Sequence, residues 1–442
     1  ERARRRGSSG RLRPELHVRG VELVQPVYLL PVLGDKLVFR NALFSICLCA
    51  FLCGPAILYG AMRAGIDVPV DLTAAPAQYL SGGAESANVG EQFSVEGFTS
   101  KALQEAVDTE IGNYIPGKAA AIIANAGMQR CAIASSNALC QWSCYPTYFG
   151  SARLFIPGED AVTYLPQRSN AGAEAAWRSF AEGVARVAER HPDKRFVLYV
   201  AGGYQEPSVN PAYDLVTDPL VPSYCVDVLR AVAGDVPNVS VLSYSYASSE
   251  EYYRDFFRTD HHWNAFGAFR AYESIAEELG LSAVEPGGKR EISDYWFTGA
   301  TARWGVDLLR ERVSDCDNTF ADLVAERPDG TKISGDDHSS FWDAPALGKR
   351  YQFYDVYYDN LGDCAITGGL GDRNALLVSN SYRGALQRPL ASSYRSLSVN
   401  SQLHPAVPLT TTLEEQIEAA GAEDVIFAAN PSAFKIGDEY WE

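Results

Sequence analysis

From about residue 98 onward the apolar positions follow two alternating rhythms. Between residues 173 and 191 they recur every three or four places, with Trp177, Phe180, Val184 and Val187 on one face, which predicts an amphipathic helix. Phe196-Val197-Leu198-Tyr199-Val200-Ala201 is then continuously apolar and closes on Gly202-Gly203, as a strand buried on both faces would. A helix near 223–233, a strand near 239–246 and a helix over 265–279 follow. The alternation returns as a strand at 375–378, a helix at 383–392 and a strand at 396–399. A capping box, Thr411-x-x-Glu414, opens a helix to Ala420, and a strand at 425–428 closes the series. Alternating βα units predict an α/β domain, a parallel sheet with helices on both faces. Residues 284–372 are rich in Asp, Gly and aromatics and keep no period; long loops with a few extra strands are expected there. The chain shows no internal repeat and no Gly-rich nucleotide fingerprint.

One apolar run differs in kind. Asn41–Met62 is 22 residues without a charge. As a helix it would be about 33 Å long, matching a bilayer core of roughly 30 Å. Arg2, Arg4, Arg5, Arg6, Arg11, Arg13 and Arg19 all precede it, so the positive-inside rule puts the N-terminus in the cytoplasm and the large C-terminal part outside. A cleaved signal peptide and a buried core helix are the alternatives. The run is long for a signal peptide, and Ala61-Met62-Arg63-Ala64 is a poor cleavage site. Gly54-Pro55 would kink the helix without preventing it from spanning. The expected organisation is a basic cytoplasmic arm (1–40), a transmembrane anchor (41–62), a stalk rich in Ala, Gly, Pro and Ser (63–95) and an extracytoplasmic domain (96–442).

Charge supports that division. Residues 1–63 carry ten Lys/Arg against four Asp/Glu; the remainder carries 28 against 51, a net charge of −23. So acidic a domain excludes nucleic acid as its partner. Of the nine cysteines, Cys47, Cys49 and Cys53 fall in the apolar run. Cys131, Cys140, Cys144, Cys225, Cys316 and Cys364 would lie outside, where some pairing is expected. Cys140-x-x-x-Cys144 has no second pair to complete a zinc site.

The chemistry concentrates in Asp260-His261-His262-Trp263-Asn264. An Asp-x-His unit supplies two parts of an acyl-transfer triad: the histidine takes the nucleophile's proton, and the carboxylate fixes its tautomer. A nucleophile is available 119 residues on, in Leu376-Leu377-Val378-Ser379-Asn380-Ser381-Tyr382. In a parallel α/β sheet, sites form beyond the carboxyl ends of strands. Ser381 falls there, where a strand gives way to a helix. A plain helix N-cap is the alternative reading of Ser381. Ser379 is a weaker nucleophile candidate, nearer the strand end. Asp336-Asp337-His338 together with Asp260, His261 and His262 offers metal-type ligands, but no second spaced cluster fixes a geometry. His191, His404 and His17 look structural or peripheral.

Phe257-Arg258-Thr259-Asp260-His261-His262-Trp263-Asn264 resembles the signature of the bacterial DHHW proteins, relatives of the alginate O-acetyltransferase proteins and, more distantly, of SGNH hydrolases. The strand ending in Ser379-Asn380-Ser381-Tyr382 resembles the family's second signature, in which Asp stands where this chain has Asn380. The resemblance implies an SGNH-hydrolase-like sheet flanked by helices, circularly permuted because the serine comes last. It implies Ser381 as nucleophile, His262 as general base and Asp260 as its orienting partner, with no cofactor. The implied reaction is acetyl transfer to hydroxyls of a cell-surface or exported polysaccharide, with a membrane-bound O-acyltransferase as partner. An esterase, or an inactive carbohydrate-binding or assembly subunit, is the alternative, and Asn380 keeps the inactive reading open. His261 should point away from His262 if the segment is extended, and act as a supporting group. Trp263 reads as a packing residue, with sugar stacking as the alternative, and Asn264 as a helix cap. The Ser381 N–H, Gly299 and Gly203 are the candidate oxyanion donors.

Overall fold

The computed structural model describes residues 40–46, 48–49, 53–54, 57 and 89–442, without 115–117, 143–144, 147–152, 166–170, 204–205, 207, 211–220, 293–295, 298, 304–310, 313–314, 321, 335–361 and 406. The chain divides into two units, residues 1–68 and 69–442. In the first, every described residue is helical. The expected arm, anchor and stalk lie mostly outside the described residues. Among the described residues no helix is long and apolar enough to cross a membrane.

The second unit opens with helices α1 (Val95–Thr99), α2 (Ala102–Tyr114) and α3 (Lys118–Cys140). Strands β1 (Tyr145–Pro146), β2 (Arg153–Ile156) and β3 (Ala161–Tyr164) then form a small antiparallel sheet. Ile133 of α3 packs on Tyr145, Val162 and Phe155 of that sheet. Next come α4 (Ala171–Arg190), β4 (Arg195–Val200), α5 (Pro222–Ala233), β5 (Val239–Ser243), α6 (Ser249–Asp255) and α7 (Ala265–Glu278). Short elements follow: β6 (Gly288–Ile292), β7 (Trp296–Phe297), α8 (Ala300–Arg303), β8 (Glu311–Arg312), β9 (Asp315–Thr319), β10 (Val324–Glu326), β11 (Lys332–Ser334) and β12 (Cys364–Thr367). The chain ends with β13 (Asn374–Ser379), α9 (Arg383–Ser392), β14 (Ser396–Asn400), α10 (Leu413–Ala420) and β15 (Asp424–Ala429).

Eight strands form the main sheet, in the order β11-β10-β12-β14-β13-β15-β4-β5. The five from β14 to β5 are parallel. β12, β10 and β11, in the segment where a few extra strands are expected, add an antiparallel wing to the parallel sheet. The sheet is covered on both faces, which explains its continuously apolar strands. Along β13, Ala375 and Leu377 enter one core while Leu376 and Val378 enter the other. The same alternation holds in β4, where Val197 and Tyr199 oppose Phe196, Leu198 and Val200.

The first core is closed by α7, through Ala268, Ala271, Tyr272 and Ile275, and by α9, through Leu386 and Leu390. The second is closed by α4, whose Trp177, Phe180, Val184 and Val187 are all buried, by α5 through Cys225 and Leu229, and by α10 through Leu413 and Ile417. Complete burial of such a side chain stabilises by about 1.5–3 kcal/mol. The helix stripes and strand runs of the sequence are therefore the two sides of the same interface. The capping box lies one residue later than expected: Thr412 accepts from the Glu415 N–H, and Glu415 accepts from the Thr412 N–H. Cys131, Cys140, Cys225 and Cys364 are unpaired thiols; of the six cysteines among which some pairing is expected, the side chains of Cys144 and Cys316 lie outside the described residues.

Candidate active site

β13 delivers Ser381 to the carboxyl end of the parallel strands, two residues beyond its last member. The turn that follows is made by Asn380, whose Oδ1 accepts from the Tyr382 N–H at 3.1 Å and whose Nδ2 donates to Asn430 Oδ1 at 2.9 Å. Asn430 directly follows β15, so the carboxamide ties the ends of two adjacent strands. An aspartate would supply the first contact but has no N–H for the second. Ser381 is half-buried at this turn, whereas Ser379 is fully buried and donates to the Ala428 carbonyl at 2.5 Å. That bond commits Ser379 to the sheet and removes it as a nucleophile candidate.

The histidine segment is a tight reversal between α6 and α7. Phe256 bridges to Trp263, and the Phe257 N–H donates to the His262 carbonyl at 3.3 Å. Asn264 caps α7, its Oδ1 accepting from the Phe266 and Gly267 N–H groups. At the tip, Asp260 Oδ1 lies 2.7 Å from His262 Nδ1, and His262 Nε2 lies 2.7 Å from Ser381 Oγ. The three side chains chosen from spacing and resemblance are thus in line. An ionised Asp260 favours the tautomer with the proton on Nδ1, in which Nε2 accepts from the serine hydroxyl. Burial opposes the charge on Asp260. The charge and hydrogen bond of His262, the nearby His261 and the Ala300 N–H (2.8 Å from Oδ2) outweigh it and hold the carboxyl well below the usual range.

Two contacts fasten the serine loop to the histidine loop. Trp263 Nε1 donates to the Tyr382 carbonyl at 3.1 Å, and the Tyr382 hydroxyl donates to the His261 carbonyl. Trp263 is 1% exposed, so it packs and positions; sugar stacking is ruled out by its burial. Tyr382, buried against His262, was legible only as a motif letter.

His261 departs from expectation. Its ring does not point away: it lies against His262 with centroids 3.9 Å apart, and its Nδ1 is 3.4 Å from Asp260 Oδ1. The segment turns instead of extending, so side-chain alternation does not apply. Gly299 also changes role. Its N–H donates to Thr259 Oγ1 at 2.9 Å, which occupies the donor an oxyanion would need. A Cβ there would sit 2.4 Å from the Thr259 carbonyl oxygen and 2.5 Å from Asp260 Cβ, so only glycine fits. Gly203 follows β4, two strands from β13 at the same end of the sheet.

Glu311 of β8 gave no sequence signal. It is buried and accepts from the Arg258 N–H (2.9 Å), the Thr259 N–H (2.9 Å) and the Thr259 hydroxyl (2.6 Å). Burial pushes its carboxyl up to about 7, against the pull of these donors. The residues before Asp260 are therefore clamped on one side by Glu311 and on the other by residues 299–302. Asp260, His261 and His262 each offer a ligand atom, all within 4.8 Å of one another. A metal taking either ring nitrogen of His262 would displace Asp260 or Ser381, so this donor set fits a hydrogen-bonded triad better than a metal centre. His338 lies outside the described residues.

No family model and no curated protein matches the chain. Solved structures do. The fold is similar to that of a DHHW family protein from Eubacterium siraeum DSM 15702, at 17% identity and a TM-score of 0.51, over 68% of this chain and 98% of the other. PatB1 from Bacillus cereus follows at 15% identity and a TM-score of 0.48, over 64% and 97%. The O-acetyltransferase domain of Pseudomonas putida AlgJ follows at 14% and 0.35, over 66% and 92%. The DHHW resemblance of the sequence thus extends to a mixed α/β fold with a large, mainly parallel sheet flanked by helices.

Proposed function

We propose that the domain is an acyl transferase in which Ser381 is the nucleophile, His262 the general base and Asp260 its orienting group. The observation that carries this reading is the pair of 2.7 Å contacts that links Asp260 to His262 and His262 to Ser381. Ser381 Oγ attacks the carbonyl carbon of an acetyl donor while its proton passes to His262 Nε2. The tetrahedral intermediate collapses, His262 protonates the leaving oxygen or sulfur, and the acetyl group remains on Ser381 as an ester. A hydroxyl of the acceptor then gives its proton to His262, attacks the ester carbonyl and leaves acetylated, and the proton returns to Ser381.

The acceptor in this reading is a cell-surface or exported polysaccharide. The acidic domain stands outside the membrane behind the anchor at 41–62, and a membrane-bound O-acyltransferase delivers the acetyl group. What supports this arrangement is the uncharged run, the arginines before it and the DHHW resemblance. With water as acceptor the same steps make an esterase. Incubation with 4-nitrophenyl acetate, with and without a soluble oligosaccharide, separates the two. Transfer predicts acetylated oligosaccharide at the expense of free acetate. Acetate alone, at a rate indifferent to sugar, supports the esterase, and no turnover with no fluorophosphonate labelling of the folded protein refutes both.

A further inference from the structure

A cavity of about 620 Å³ lies away from the triad, with Trp142, Gln141, Asn137, Pro157, Glu159 and Ser249 in its wall. One of its exposed features is aromatic. Trp142 is 60% exposed, yet it is held firmly. Its indole stacks on the buried Tyr145, with ring centroids 5.7 Å apart and planes at 23°. The Trp142 backbone N–H donates to the Tyr145 hydroxyl at 2.8 Å, and that hydroxyl donates to Asn137 Oδ1 at 3.0 Å. Gln141, just before it, takes a left-handed backbone (φ 51°) that ends α3 and turns Trp142 outward. An exposed indole backed by a second ring and fixed by its own backbone offers a preorganised apolar face to a ligand.

The rest of the wall mixes apolar groups, from Ile156, Pro157 and Val209, with polar ones. Asn137 and Gln141 bring carboxamides. Glu159 accepts from the Ser249 hydroxyl at 2.5 Å through Oε1. A rigid aromatic face ringed by amide, hydroxyl and carboxylate groups matches a pyranose, which has an apolar C–H face and a rim of hydroxyls. The charge narrows the class. Among the lining residues Glu159 carries the sole charge, in a strongly acidic domain, and the neighbouring Arg258 guanidinium is engaged by the Glu159 carbonyl and the Tyr253 ring. A uronate carboxylate would be repelled there.

The cavity is also joined to the triad. Pro157, Gly158 and Glu159 form the turn between β2 and β3. The Glu159 carbonyl accepts from Arg258 Nε at 3.1 Å, two residues before Asp260, and the Val162 N–H donates to the Arg258 carbonyl at 2.9 Å. At the far end of β3, Tyr164 stands 6.5 Å from the His261 ring. At about 3.3 Å per residue, the hairpin spans on the order of 17 Å from Glu159 to Tyr164.

We propose that this cavity is a saccharide subsite for sugars without carboxylates, neutral or amino-bearing, which holds a glycan chain a few units from the residue presented to Ser381. Its link to catalysis rests on the acyl-transfer reading; its binding of sugar does not, and can be measured with no acyl donor present. The probes are cellohexaose, a glucosamine hexamer and hexagalacturonate, titrated into the full chain by calorimetry and by tryptophan fluorescence. The wild type should bind cellohexaose or the glucosamine hexamer at least tenfold more tightly than hexagalacturonate. Trp142→Ala should weaken that binding at least tenfold and Trp142→Phe by less, because Phe keeps a ring on Tyr145. Glu159→Gln should narrow the gap between the uncharged and uronate probes. Equal binding by wild type and Trp142→Ala, binding of hexagalacturonate as tight as that of cellohexaose, or no binding of any probe by the folded wild type would each overturn the proposal. None of these outcomes depends on whether Ser381 can be acylated.

Discussion

Glu311 makes the pH dependence of folding a test of how the triad loop is held. Its carboxyl is raised from the ordinary 4.5 to about 7 because it is buried, even with three donors around it. Between these values the folded protein keeps a proton that the unfolded chain has released. The folded state then binds more protons than the unfolded one, so stability falls as pH rises. The contribution is fully present below 4.5 and lost as pH passes 7. The difference of 2.5 pH units, at about 1.4 kcal/mol each, makes it on the order of 3 kcal/mol. Glu311→Gln removes the titration and retains the shape, at the cost of one acceptor. Urea unfolding of both proteins between pH 4 and pH 8 isolates the difference from every other group. The wild type should lose about 3 kcal/mol relative to the variant across that range. Parallel curves would mean that Glu311 titrates normally and that its burial against Arg258 and Thr259 is not as described.

Three further outcomes follow from the packing. Gly299→Ala places a Cβ 2.4 Å from the Thr259 carbonyl oxygen, so the loop bearing Asp260 must shift by about 1 Å; acylation rates should fall on the order of a hundredfold, measured by release of 4-nitrophenol, and an unchanged rate would contradict the clamp. Trp263→Phe deletes the N–H bonded to the Tyr382 carbonyl and should slow acylation about tenfold, with a loss of roughly 1 kcal/mol in stability by denaturant titration. Gly183→Ala would put a methyl 2.3 Å from the Trp441 indole and should cost about 1–3 kcal/mol in stability, with acylation by 4-nitrophenyl acetate unaffected, because α4 closes the core away from Ser381.

Strands and helices of the parallel half were legible because each carries one physical signal. The runs at 195–200, 374–379 and 424–429 are apolar on both faces, and α4 shows its stripe every three or four residues. The antiparallel wing was not, since β10 and β11 are three residues each, too short to establish a period. Helix α3 is an Ala-rich stretch without a clear stripe, so its apolar pattern gave no period to read. Within the site, Asp260, His262 and Ser381 could be read because spacing and a strand end constrain them. His261 was misread because the turn at 257–262 breaks the alternation of a strand. Glu311 could not be read at all, and Gly299 was read only as an oxyanion donor, because their roles come from contacts 40 to 53 residues away in sequence, inside an irregular segment.

The central claim is that Ser381, activated by His262 and Asp260, carries the acyl group. Rapid acid quenching after mixing with 4-nitrophenyl acetate, then peptide mapping by mass spectrometry, tests it most directly. The account predicts an acetyl ester on the peptide that contains Ser381, none in Ser381→Ala, and slow accumulation in His262→Ala. Acetylation at another residue, or equal labelling of the wild type and Ser381→Ala, would contradict it.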